Sequence, residues 1–271
     1  MCIIEYNFFQ NALIGGLLAS IVCGIVGTYI VTRRLVFISG GITHASFGGI
    51  GLGVYFGINP IISAMLFTVA SACGVRYVTE RCGVREDSSI AIFWTLGMSI
   101  GIIFSFLSPG FMPELPSYLF GNILTIGKTD ILMLLVVAVI IVTLFILMGP
   151  SIVSIAFDPV FAKSQGMPVR AMEYAMMAII AITIVSVLRI VGVVLAISLL
   201  TIPQITANLF CNSFRQMMFL SIAFSIIYTF VGIALSYWLA IPSGATIILV
   251  SVVVYGSLKT IKAAKVTFYR K

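Results

Sequence analysis

Of 271 residues, 61% are hydrophobic and 8% are charged, where a soluble domain carries about 25% charged residues. Mean hydropathy is +1.21. A soluble enzyme of this size could not hide so much apolar surface, and a nucleic-acid-binding chain is excluded despite the net charge of +7, because no basic patch stands on a polar face.

The remaining class is an all-α, polytopic transmembrane bundle. Its apolar runs do not alternate as barrel strands would. A membrane helix needs about 20 apolar residues, so nine would use roughly 180 and leave about 90 for connections. That predicts one transmembrane domain over 1–271 with no soluble domain. The spans are read as 8–32, 35–57, 60–75, 89–108, 131–149, 171–188, 190–209, 217–239 and 243–258. Asn59-Pro60 and Ile241-Pro242-Ser243-Gly244 are the turn signals of the tight pairs. The longest polar stretch, Arg76–Ser89, reads as a loop. The stretch Pro109–Thr129, broken by prolines and glycines, reads either as a re-entrant helix or as an ordinary outer loop. The N-terminus lacks a basic leader, so the first run is expected to be retained. Five cysteines without pairing spacing read as small packing residues.

Cytoplasmic loops collect Lys and Arg. With the N-terminus outside, 13 of the 15 basic residues fall on the inner side, and only Lys128 and Arg189 fall outside. This predicts an external N-terminus and a cytoplasmic C-terminus. Topology and anionic lipid then account for the basic excess.

His44 is the single histidine. It lies nine residues beyond Leu35, about 13 Å into a hydrocarbon core of about 30 Å. Imidazole at that depth is a functional candidate and a good ligand for transition metals. The alternative is a packing histidine hydrogen-bonded to a neighbouring helix. Gly40 and Gly48, one turn to either side, would leave space beside the ring, and Ser39 and Thr43 add hydroxyl oxygens. A second stripe, Gly41, Ala45, Gly49, Gly53 and Gly57, has the spacing of close helix contact in lipid. The first span has its own, Gly15, Ala19, Cys23 and Gly27, and Gly97 and Gly101 repeat the spacing in the fourth.

Pro203 should kink or break the seventh span. Gln204 and Asn208, four residues apart, either line a cavity or join helices. Arg189 marks an outer turn. After the fifth span, Asp158 can cap a helix, Pro159 suits its first position, and Gly166 can stop it. That predicts a two-turn cytoplasmic helix against which a motor subunit could push. No G-x-x-x-x-G-K-[ST] is present, so ATP hydrolysis is not expected of this chain, and no protease motif appears. No acidic residue is placed in a span interior, which disfavours a proton-driven antiporter.

These residues carry a resemblance. The chain resembles the permease subunits of ABC-type divalent-metal importers through RRLVFISGGITHASFGG at Arg33–Gly49, through Phe157, Asp158, Pro159, Ala162 and Gly166 in the pattern FDP-x-x-A-x-x-x-G, through RIVGVVLAISLLTIPQITA at Arg189–Ala207, and through PSGA at Pro242–Ala245. The resemblance implies a permease homodimer in the cytoplasmic (inner) membrane, with two cytoplasmic ABC ATPase subunits and an extracytoplasmic metal-binding protein as partners. It implies that Asp158–Gly166 docks into the ATPase and that His44 stands on the metal path. No resident cofactor is expected; the divalent ion is cargo. Many members carry Asp four residues before the histidine, where this chain has Gly40. Loss of that hard ligand weakens manganese more than zinc, so zinc is the expected metal. The other readings are a manganese or iron importer of the same family, an ABC permease for a chelate such as a siderophore or cobalamin, and a secondary transporter or channel.

Overall fold

The computed structural model describes residues 7–108 and 126–269. The described chain is helical: α1 (Asn7–Thr32), α2 (Val36–Tyr55), α3 (Pro60–Cys82), α4 (Glu86–Leu107), α5 (Lys128–Phe157), α6 (Pro159–Ser164), α7 (Val169–Val191), α8 (Val193–Leu199), α9 (Ile202–Ala207), α10 (Phe214–Leu239) and α11 (Ser243–Tyr269). Seven of these are long and apolar enough to cross a membrane: α1, α3, α4, α5, α7, α10 and α11. The chain is a membrane protein built as a helical bundle. The stretch 109–125, with the question of a re-entrant helix, lies outside the described residues.

Helix α2 falls short of that hydropathy because six glycines, Ser39, Thr43, Ser46 and His44 dilute its apolar content, yet much of it is enclosed by other helices. The stripes explain the enclosure. A Cβ on Gly49 would lie 2.5 Å from the Ala64 Cα of α3, and one on Gly97 of α4 would lie 2.6 Å from the Ala45 Cα. Backbones approach this closely where side chains are hydrogen atoms, and dispersion across such contacts joins helices in lipid. The main core runs from Val22, Val26 and Ile30 of α1 to Ile180, Ile184 and Val187 of α7, and on to Tyr228 of α10.

Three expected boundaries move. The polar stretch Arg76–Ser89 is not a loop: α3 continues to Cys82, and α4 begins at Glu86. Arg76 does not need water there, because Glu173 pairs with it. The fifth span does not stop before Pro150 but runs through it to Phe157, with Ile152 and Ile155 buried beyond the proline. The seventh span is not one helix. Gly192, at φ 81°, separates α7 from α8, a conformation that L side chains rarely adopt. Leu200 and Thr201 then separate α8 from α9. Pro203 sits in the first turn of α9, where its missing N–H is harmless, rather than inside a kinked helix. The apolar segment Val193–Ala207 is about 22 Å long at 1.5 Å per residue, less than a hydrocarbon core of about 30 Å.

Candidate functional site

His44 projects from the middle of α2 toward α4. Its ring stacks on Trp94, with centroids 4.6 Å apart and planes 4° from parallel, and Phe47 lies 6.3 Å away. Its Nδ1 is buried and has no hydrogen-bond partner among the described residues. Next to it, a Cβ on Gly40 would meet nothing within 4 Å, so the turn below the imidazole faces open space. Gly48 is different: a Cβ there would lie 2.8 Å from the Phe67 ring and 2.9 Å from the Gly97 carbonyl oxygen. It belongs to the contact with α3 and α4 and opens no space beside the ring.

The hydroxyls near His44 are buried and turned to the backbone. Ser39 donates to the Val36 carbonyl at 2.7 Å, and Thr43 donates to the Ser39 carbonyl. Their protons are thus spent on α2 itself, while oxygen lone pairs remain. Among the described residues no group of three or more His, Cys, Asp or Glu side chains could hold a metal ion. A cavity of about 370 Å³ lined by Ser46, Ile50, Asn59, Ala64, Leu188 and Arg189 touches α2 as well, but His44 is not in its lining.

Gln204 and Asn208 part company. Gln204 is fully buried and donates from Nε2 to the Cys23 carbonyl of α1 at 2.8 Å and to the Leu199 carbonyl at 3.1 Å. It joins helices and satisfies the Leu199 carbonyl, which Pro203, four residues on and without an N–H, leaves unpaired. Asn208 is exposed at the end of α9. A Cβ on Gly27 would lie 2.7 Å from the Leu200 carbonyl oxygen and closer still to the Gln204 amide, so the broken segment rests directly on α1. Arg189 is in the last turn of α7 and pairs with Asp130 of α5 at 3.3 Å.

At the opposite end of these helices lies α6. Asp158 Oδ1 accepts from the backbone N–H groups of Val160 at 3.1 Å and Phe161 at 2.9 Å. Pro159 takes the first position, and Gly166, at φ 76°, turns the chain after the helix. Ala162 is buried against the bundle, and its carbonyl accepts from Met167 N–H at 3.2 Å. Phe157, Val160 and Phe161 point outward, with 66%, 78% and 55% of their surface exposed. The short helix is therefore pinned on one side and presents an apolar surface on the other.

Sequence reasoning missed two features. Trp94 was one apolar residue among many in α4, and nothing in its spacing points to His44. The second is Glu173, a buried carboxylate within α7, where no acidic residue was expected inside a span. The signal was present in Arg170-Ala171-Met172-Glu173-Tyr174, a lone carboxylate at the start of an apolar run. Glu173 is tolerated because Arg33 and Arg76 hold its two oxygens.

Known proteins agree with this architecture. A pneumococcal structure, PsaBC from Streptococcus pneumoniae in complex with Fab, superposes with a TM-score of 0.84 at 29% identity, covering 94% of this chain and 91% of that one. An uncharacterized membrane protein of Synechocystis sp. is 39% identical over 252 residues, 93% of this chain and 90% of the relative. The manganese transport system membrane protein MntC of Listeria monocytogenes is 30% identical over 254 residues, 93% of this chain and 90% of that protein. The sequence pattern of the ABC 3 transport family matches residues 5–259, and the chain belongs to that family.

Proposed function

We propose that this chain is the membrane-spanning permease subunit of an ATP-driven importer of divalent transition metal ions. It works as a homodimer in the cytoplasmic membrane, N-terminus outside and C-terminus inside, with cytoplasmic ABC ATPase subunits and an extracytoplasmic metal-binding protein. The chain itself is a transport subunit and not an enzyme, and the ion is its cargo. The observation that carries the metal reading is the unpartnered, buried Nδ1 of His44 beside the open face at Gly40. The outward apolar face of Phe157, Val160 and Phe161 supports docking of the ATPase, since a patch of that kind on a capped, pinned helix suits a protein partner.

Zinc is the preferred cargo on the donor chemistry. Imidazole with hydroxyl or carbonyl oxygen suits zinc, and the position one turn before His44 offers no carboxylate. Manganese is the second reading, supported by the names of the Listeria relative and of a manganese import system permease from Streptococcus parasanguinis, 30% identical over 251 residues.

The test is cellular metal content. The permease is expressed with its ATPase and binding protein in a host lacking metal importers, and wild type is compared with His44→Ala under metal limitation. A His44-dependent rise in zinc is expected. A rise in manganese or iron instead corrects the metal, and no rise in any metal from an assembled complex points to a chelate as cargo and overturns the proposal.

A further inference from the structure

Glu173 has 7% of its side chain exposed, and both of its oxygens are engaged. One accepts from the Arg33 guanidinium at 2.7 Å, and the other accepts from Arg76 of α3. Arg33 stands in the turn between α1 and α2 and uses its other terminal nitrogen to reach the Ile155 carbonyl at 3.3 Å, in the last turn of α5. Three residues after Ile155 comes the cap of α6, and nine residues after Ser164 comes Glu173. Both flanks of α6 are thereby held by one side chain. That side chain sits three residues before the start of α2, the helix that bears His44. A second tie keeps α7 on α3: Arg170 Nε donates to Glu80 at 2.5 Å.

Such a network does not slide. Ionised hydrogen bonds are directional, and the planar guanidinium fork fixes geometry as well as distance. Separating the partners at this depth would leave a buried charge uncompensated. The last turn of α5, the first turns of α7, the α1–α2 turn and α3 therefore move together. We propose that Glu173 is a positioning residue that couples α6 to α2, so that displacement of α6 by the ATPase moves the helix bearing His44. The inference rests on the ATP-driven reading above and adds the residue through which the stroke travels.

The experiment uses liposomes holding the permease with its ATPase, supplied with binding protein loaded with radioactive zinc, manganese or iron. ATP hydrolysed and metal taken up are measured together. Glu173→Gln keeps the shape and an acceptor oxygen but removes the charge. The metal imported per ATP should fall about tenfold, the scale of a typical coupling energy, while ATPase binding and the rate of hydrolysis are retained. Glu173→Asp should restore part of the ratio. A ratio unchanged in Glu173→Gln, even with both rates reduced in proportion, overturns the proposal, since a merely structural role lowers both alike. If Glu173→Gln does not assemble, Arg33→Lys and Arg76→Lys keep the charge, lose the fork, and decide by the same ratio. A wild-type complex that imports none of the three metals overturns the importer reading and this one with it; wild-type import with an unchanged ratio in the variants overturns this one alone.

Discussion

The imidazole of His44 lies flat on the indole of Trp94, 4.6 Å between centroids, and this stack fixes the ring plane of the single histidine. A flat stack leaves the ring edge, where both nitrogens sit, turned away from the indole. Offset aromatic pairs of this kind are worth about 0.5–1.5 kcal/mol beyond their buried area. Trp94→Ala should therefore slow metal uptake by roughly 2- to 10-fold through loss of ring orientation, and Trp94→Phe should retain most of the rate. Uptake by the assembled variants at limiting metal checks this; a fully active Trp94→Ala would show that the stack is incidental.

Gly40 is the position at which selectivity should be adjustable. A Cβ there would meet nothing within 4 Å, so the backbone has room to start a side chain, and Gly40→Asp places a carboxylate one turn from His44. A hard oxygen donor favours manganese more than it favours zinc. The ratio of manganese to zinc accumulated by cells should rise relative to wild type. An unchanged ratio, with the variant in the membrane, would remove this face of α2 from the metal path.

The glycines of the α2–α4 contact should be intolerant where others are not. A Cβ at Gly97 would lie 2.6 Å from Ala45 Cα, whereas one at Gly149 meets nothing within 4 Å. Overpacking against backbone costs about 1–3 kcal/mol, so Gly97→Ala should lower the thermal midpoint of the purified protein. Gly149→Ala should leave it level or raise it, since alanine restricts the unfolded chain. Equal midpoints for the two variants would contradict the close approach.

Asp158 should matter through its cap. Its carboxylate takes two backbone N–H groups at the start of a six-residue helix. Loss of such a cap costs about 0.5–2 kcal/mol, enough to fray so short a helix. Asp158→Ala should weaken stimulation of the ATPase by the metal-loaded binding protein while leaving the spans folded, and Asp158→Asn, which still caps, should keep most of it. Stimulation at the wild-type level in Asp158→Ala would separate α6 from the coupling role.

What could be read from the sequence was what is local. Asp158, Pro159 and Gly166 predict α6 because a cap, a first-turn proline and a stop all act within a few residues of one another. The small-residue stripes predict close contacts because periodicity brings them to one face. Pro203 signals a break, though its place lies at Thr201 and Gly192 rather than at the proline itself. What could not be read was pairing over distance. Arg33 and Glu173 are 140 residues apart, and Gln204 and Cys23 are 181 apart. Hydropathy places each of these near a membrane boundary or on an apolar run and carries no information on which partner it meets. The same limit makes Arg76 read as part of a loop: a lone arginine reads as solvated until its carboxylate is known.

The broken segment also constrains how this chain can change over time. The Leu200 carbonyl and the Gln204 amide rest against the bare backbone of Gly27, and Gln204 in turn closes the Leu199 carbonyl that Pro203 leaves open. A methyl group at position 27 would meet the Leu200 backbone oxygen as well as the Gln204 amide, so a smaller residue at 204 would not by itself make room for it. Position 27 should therefore stay glycine in relatives whose segment is broken at 200–201, whatever stands at 204, and a larger residue at 27 beside the same break would contradict this contact.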